Sequence, residues 1–133
     1  MLGLVAWRGD GRFEAATVSY RVRTAAMRRH PAQFGLHDEM AVLGSFIAGP
    51  RALARLVDDA PLNTDDHPVV SYRAPFITYA PDSRPSERLV ELLRKLERAP
   101  DEILSADADD QTRARLAAYW RERNRFIEVG LVV

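Results

Sequence analysis

The sequence predicts a mostly helical chain of the α/β or α+β class that contains two β-strands. Residues 2–7 are continuously apolar and are followed by a glycine-containing turn, which is typical of a strand buried on both faces. Residues 69–73 read Val-Val-Ser-Tyr-Arg, a β-branched and aromatic run that predicts the second strand and ends before Pro75. Elsewhere apolar residues recur at three- and four-residue spacing, which predicts helices.

The predicted helices are bounded by proline, glycine and capping residues. The clearest one begins at Ser83 or Pro85 and ends before Pro100, with leucines at 89, 92, 93 and 96 on one face. Asp38 is a predicted N-cap, and the acidic residues at 107–110 suit the N-terminus of the last helix. The other predicted helices cover residues 18–29, 39–48, 51–57 and 107–127, and residues 101–104 form a helical turn.

The composition excludes several classes of protein. The chain has 133 residues, no cysteine, and 19 basic against 19 acidic residues. The absence of cysteine excludes a disulfide scaffold, a thiolate metal site and a cysteine nucleophile. The balanced charge argues against a nucleic-acid partner, because nucleic-acid-binding domains are normally basic. No stretch approaches the roughly 20 apolar residues of a membrane span. We therefore predict no direct membrane span and a cytoplasmic or cytoplasm-facing location.

The densest polar cluster is Asn63, Thr64, Asp65, Asp66 and His67, which stand between two prolines. Two adjacent carboxylates beside an imidazole can bind a cation, orient an amine or share a proton. The alternative is that these side chains bond to the local backbone and form a turn that leads into the strand at residue 69. The residue types by themselves favour the turn over a binding site.

Other candidate groups in the sequence are weaker. The three histidines lack the spacing of zinc ligands. Two basic clusters, at residues 28–30 and at Arg121, Arg123 and Arg125, could bind a phosphate or an acidic partner, but we favour a solvated helix face, because both lie in segments of balanced charge. No glycine-rich phosphate loop and no Ser–His–Asp arrangement is present. We therefore assign this chain no catalytic, cofactor-binding or metal-ligating residue.

Residues 61–75, Pro-Leu-Asn-Thr-Asp-Asp-His-Pro-Val-Val-Ser-Tyr-Arg-Ala-Pro, resemble a signature near the C-terminal end of spermidine-synthase-like proteins. These are bacterial relatives of the polyamine aminopropyltransferases and are often fused to a multi-spanning membrane domain. Ser71 stands where the family more often has an acidic residue. The family's catalytic domain has a Rossmann-like methyltransferase fold. Its glycine-rich nucleotide loop and catalytic aspartate lie in an N-terminal part that no position of this chain matches.

The resemblance implies that this chain is the C-terminal portion of such an enzyme and is inactive alone. Residues 1–80 would belong to the spermidine-synthase-like domain, with residues 2–7 and 69–73 as the last two strands of its sheet, and residues 81–133 would be a helical extension. Asn63, Asp65 and Asp66 would then face the active-site side, where the acidic pair attracts a cationic amine. The alternative is that the motif only fixes a hairpin.

The resemblance also implies partners. The complete protein would transfer an aminopropyl group from decarboxylated S-adenosylmethionine to a diamine, and a fused membrane domain would tether it to the cytoplasmic membrane face. This chain would pair with the missing N-terminal half or with a second copy. We predict a homodimer, because residues 2–7 and the apolar tail 131–133 both need burial. The competing hypothesis is a non-enzymatic helical interaction or oligomerisation module.

Overall fold

A computed structural model describes residues 11–24, 30–96 and 98–130 of the chain. These residues form six α-helices, joined by loops and two short 3-10 turns. A lone parallel bridge pairs Phe13 with Leu104. The helices are α1 (Ala15–Thr24), α2 (Glu39–Gly44), α3 (Pro50–Val57), α4 (Val69–Thr78), α5 (Pro85–Lys95) and α6 (Asp110–Gly130).

The predicted fold class is wrong for the described part of the chain, which contains helices and no β-strand. Residues 69–73, the predicted last strand of a Rossmann-like sheet, lie within α4. Residues 2–7, the other predicted strand, lie outside the described residues. The described chain therefore holds no part of the sheet that the family resemblance implies.

In the described part of the chain no strand lies beside residues 69–73, which explains why they are helical. A strand leaves its backbone N–H and C=O groups unpaired unless another strand lies beside it, whereas a helix pairs most of these groups within itself. The first turn of α4 gains a further partner, because the Asn63 Oδ1 atom accepts a hydrogen bond from the Val70 N–H at 2.9 Å. β-Branched residues at 69 and 70 disfavour a helix only slightly, and this local pairing outweighs that preference.

The other helices lie close to their predicted positions. Asp38 caps α2 as expected, accepting a hydrogen bond from the Ala41 N–H at 2.7 Å. However, α2 ends at Gly44 rather than at residue 48. The N–H and the hydroxyl of Ser45 both donate to the Val42 carbonyl and so close the last turn of the helix. The last helix runs three residues beyond its predicted end, to Gly130. Helix α1 ends at Thr24, and residues 25–29, predicted to continue it, lie outside the described residues.

The core of the structure forms where α2 crosses α6. Leu43 of α2 and Leu116 of α6 are completely buried, as is Leu104 in the connection before α6. The indole of Trp120 is almost fully buried, and its Nε1–H donates to the Leu43 carbonyl at 3.3 Å. Met40 and Ile103 complete this cluster, and Phe13 packs against it from the start of the described chain.

Acidic side chains cap α6 and α3, as Asp38 caps α2. Asp109 caps α6 by accepting hydrogen bonds from the Thr112 N–H at 2.6 Å and from the Thr112 hydroxyl at 3.0 Å. Glu102 caps α3 from a distant part of the chain, because its carboxylate accepts from the Arg51 N–H at 2.9 Å. That carboxylate occupies the space that a side chain at Gly49, the residue before α3, would need.

We expect Asp109→Ala to lower the Tm at pH 7 and to lower the Tm much less at pH 3. The Thr112 N–H, and then its hydroxyl, hold the pKa of Asp109 below its usual value. This stabilisation is present above the unfolded-state pKa of about 4 and is lost as the pH falls through the lower folded-state value. Thermal melts at both pH values test it, with Asp82→Ala as the control. An equal loss at pH 3 and pH 7 would contradict this account.

We expect Gly44→Ala to destabilise the chain by about 1–3 kcal/mol, since Gly44 is buried and a methyl group there would overlap the ring of Tyr119. Gly130→Ala is the matched control, because nothing lies within 4 Å of a methyl group at that position. Urea unfolding of both variants measures the difference. Equal stabilities for the two variants would show that α2 and α6 do not meet this closely.

Candidate functional site

The polar loop predicted as a site folds into a closed turn. The Thr64 N–H donates to the His67 carbonyl at 3.2 Å, and the His67 N–H donates to the Thr64 carbonyl at 3.1 Å. The Thr64 hydroxyl oxygen accepts from the same His67 N–H, also at 3.1 Å. These bonds join Thr64 to His67 and close a four-residue turn, as the turn interpretation of this segment predicts.

The three predicted substrate-binding residues are placed differently from one another. The side-chain oxygen of Asn63 is used by the Val70 N–H and so fixes the start of α4. Asp65 and Asp66 project from the turn, are exposed, and accept no hydrogen bond from the described part of the chain. The turn therefore brings two exposed carboxylates together next to the first turn of α4, while the amide beside them has a structural partner.

Helix α4 carries an aromatic stripe that is exposed to solvent. Tyr72, Phe76 and Tyr79 stand at positions i, i+4 and i+7, so they lie on one side of the helix. Tyr79 is the residue directly after the last residue of α4. Their side chains are 71%, 81% and 82% exposed, respectively. We call these three residues the aromatic stripe. The sequence contains this spacing, but it went unrecognised because residues 69–73 were expected to form a strand.

Helix α4 is attached to the described chain mainly through its two ends. No residue of α4 is buried. At its C-terminal end, the Ile77 carbonyl accepts from the Ser83 hydroxyl at 3.2 Å and from the Arg88 guanidinium at 3.1 Å, which ties α4 to the start of α5. Val70 and Ile77, on the other side of α4, and the preceding Leu62 are also exposed. The apolar helix α4 thus lies outside the core that α2 and α6 form.

The arginines of the predicted basic clusters differ in how far they are buried. Arg123 is half-buried, and its guanidinium donates to the carbonyls of Gly44 and Phe46, the latter at 2.9 Å. Arg121 and Arg125, each two residues away in sequence, are exposed. Of the other predicted basic cluster, residues 28 and 29 lie outside the described residues. Arg121 and Arg125 are therefore solvated, as predicted, whereas Arg123 is not.

A second apolar feature is a cavity of about 660 Å³ between α1 and α2. Phe13 and Phe46 lie on its wall, with their ring centroids 5.3 Å apart. Apolar area dominates the lining, to which Arg12, Glu14, Thr17 and Arg21 add polar groups. The aromatic stripe is far more exposed and follows in the sequence the turn that carries Asp65 and Asp66, and we take it as the candidate site.

Within residues 11–24, 30–96 and 98–130, histidine and carboxylate side chains do not gather in threes that could hold a metal ion. None of the helices in these ranges combines the length and the apolar character that crossing a membrane requires.

Comparisons with models of protein families, with curated proteins and with solved structures find no match for this chain. The resemblance of residues 61–75 to spermidine-synthase-like proteins therefore stays a prediction.

We expect Asn63→Ala to loosen α4 by removing the acceptor of the Val70 N–H. Loss of such a cap costs about 1 kcal/mol, which corresponds to a roughly fivefold faster amide exchange along the first turn of α4. Hydrogen exchange followed by NMR measures this. Asp66→Asn is the control and should leave the exchange unchanged. Unchanged exchange in Asn63→Ala would show that the turn does not support the helix.

Proposed function

We propose that this chain is a non-enzymatic helical interaction module that serves as the C-terminal portion of a spermidine-synthase-like protein. The observation that carries the proposal is the exposed aromatic stripe Tyr72, Phe76 and Tyr79 on a helix without a buried residue. The resemblance of residues 61–75 supplies the family, and the surface chemistry of α4 supplies the role.

The size of the stripe supports docking. Three aromatic side chains exposed by 71–82% present roughly 350–600 Å² of surface, taking about 150–250 Å² for each complete side chain. That by itself equals the largest apolar patch of a typical monomer, about 300–600 Å². Val70 and Ile77 are also more than half exposed but lie on the other side of α4, so the stripe alone is smaller than the roughly 800 Å² that one partner contributes to a standard interface.

The position of the family motif supports the catalytic portion of the same protein as the partner. The motif ends at Pro75, so it contains Tyr72 and leads directly into Phe76 and Tyr79. The segment that carries the resemblance is thus also the segment that the described chain leaves uncovered. In this arrangement Asp65 and Asp66 lie at the edge of the interface, where exposed carboxylates attract a cationic amine bound by the catalytic portion.

A second copy of the chain is the other candidate partner, and the same stripe favours it. A stripe along a helix of ten residues can pair antiparallel with its own copy about a two-fold axis, so that each aromatic residue meets apolar surface. The residues first expected to form the dimer, 2–7 and 131–133, lie outside the described chain. The interaction role is common to both candidates, and the experiment below separates them.

We expect the chain to bind the purified catalytic domain of a spermidine-synthase-like protein from the same genome. Phe76→Ser should weaken this binding by about tenfold or more, since truncation of a central aromatic anchor commonly costs about 2 kcal/mol. Phe126→Ser is the matched control, because Phe126 lies on α6 and is 79% exposed, close to the 81% of Phe76. Calorimetric titration measures the binding.

Light scattering of the chain alone completes this test. A monomer that binds the catalytic domain through Phe76 supports the first candidate partner. A dimer that Phe76→Ser dissociates and Phe126→Ser does not supports the second. A monomer that does not bind the catalytic domain, or equal effects of the two substitutions, overturns the proposed interaction surface.

We also expect the purified chain to show no binding of S-adenosylmethionine or its decarboxylated form in calorimetric titration. The sequence has no glycine-rich nucleotide loop and no acidic residue placed after a first strand to hold a ribose. Binding with micromolar affinity and unit stoichiometry would contradict the non-catalytic assignment.

A further inference from the structure

The apolar cavity between α1 and α2 has the size of a ligand site. Its volume of about 660 Å³ lies within the range of roughly 300–1,000 Å³ that ligand pockets occupy. Leu43 and Val22, both buried, contribute to its lining. Phe34 also lines it, although this side chain is 63% exposed. The lining therefore extends from the core to the solvent-exposed surface, and a ligand can enter without unfolding the chain.

The wall at Phe13 is fixed by hydrogen bonds of its backbone. The Phe13 N–H donates to the Ile103 carbonyl at 2.7 Å, and the Phe13 carbonyl accepts from the Ser105 N–H at 2.9 Å. The Phe13 ring in turn lies against the ring of Phe46. A wall that is held in place before a ligand arrives lowers the entropic cost of binding.

The polar part of the lining carries more positive than negative charge. Arg12 and Arg21 line the cavity, and both are exposed, so they lie at its solvent-facing part. Glu14 is the one carboxylate in the described lining, and it accepts from the Thr17 hydroxyl at 2.6 Å. Among the described residues, neither arginine contacts a carboxylate. Two guanidinium groups are thus available for an anionic group beside an apolar cavity.

We propose that this cavity binds a small amphipathic carboxylate, with its hydrocarbon chain inside the cavity and its carboxylate at Arg12 and Arg21. Each methylene buried against the apolar walls raises the affinity by about fourfold. A guanidinium can donate two parallel hydrogen bonds to one carboxylate, which favours an anionic over a cationic head group. This inference does not depend on the proposed interaction function, since the described lining contains no residue of α4.

Calorimetric titration of the full chain with decanoate, at constant ionic strength and below the concentration at which micelles form, tests the proposal. We expect one site and an affinity about tenfold higher than for decyltrimethylammonium, which has the same chain length and the opposite charge. Butyrate, which is shorter by six methylenes, should bind more weakly by about a hundredfold or more.

Arg21→Gln should lower the affinity for decanoate by about tenfold, because hydrogen bonds between charged groups are the strong ones. Arg23→Gln is the matched control, since Arg23 is equally an exposed arginine of α1 but does not line the cavity. Phe34→Ser should also weaken binding, whereas Phe126→Ser, which removes an exposed ring of α6, should not. Circular dichroism shows that each variant stays folded.

Three outcomes would each overturn the proposal. The first is the absence of saturable decanoate binding. The second is equal affinity for decanoate and decyltrimethylammonium, because the arginines would then not select the head group. The third is equal weakening by Arg21→Gln and Arg23→Gln, because the attraction would then be a general effect of positive charge on α1.

Discussion

The contact between the end of α2 and the middle of α6 is the interaction on which the rest of the structure depends. Helix α2 has only six residues, so it cannot persist without tertiary packing. Its last carbonyls accept from Trp120 and Arg123 of α6, while Leu43 fills the space between the helices. The long helix α6 thus supplies both the apolar surface and the hydrogen-bond donors that a short helix needs.

The same contact places positive charge inside the molecule. Arg123 must be partly buried to reach the end of α2, and Arg98 is held nearby by the carbonyls of Ile47 and Leu93. The hydrogen bonds offset the loss of solvation only in part, which is why burial lowers both pKa values.

Helix α4 shows what happens to an apolar segment without such a contact. Its start is held by Asn63 and its end by Ser83 and Arg88, through hydrogen bonds made at the surface. These bonds are sufficient to fix a helix, but they bury none of its aromatic side chains. Because α4 is held by hydrogen bonds near its ends and not by packing, it is helical and exposed at once, and its aromatic stripe is available for docking. Asp65 and Asp66 share that exposure, since the turn uses Asn63 and Thr64 and leaves the carboxylates to solvent.

The sequence by itself determined the features that depend on neighbouring residues. The cap at Asp38, the helices near their predicted positions and the bonded turn at residues 63–67 all follow from local hydrogen bonds and apolar spacing. Only the tertiary structure decided the features that depend on distant groups. Residues 69–73 are suited to a strand, yet they are helical because no strand lies beside them in the described chain. Arg123 looks like a surface charge in the sequence, yet it is half-buried because α2 ends against it. Local patterns specify how a segment can pair with itself, whereas burial and charge depend on what the rest of the chain places next to it.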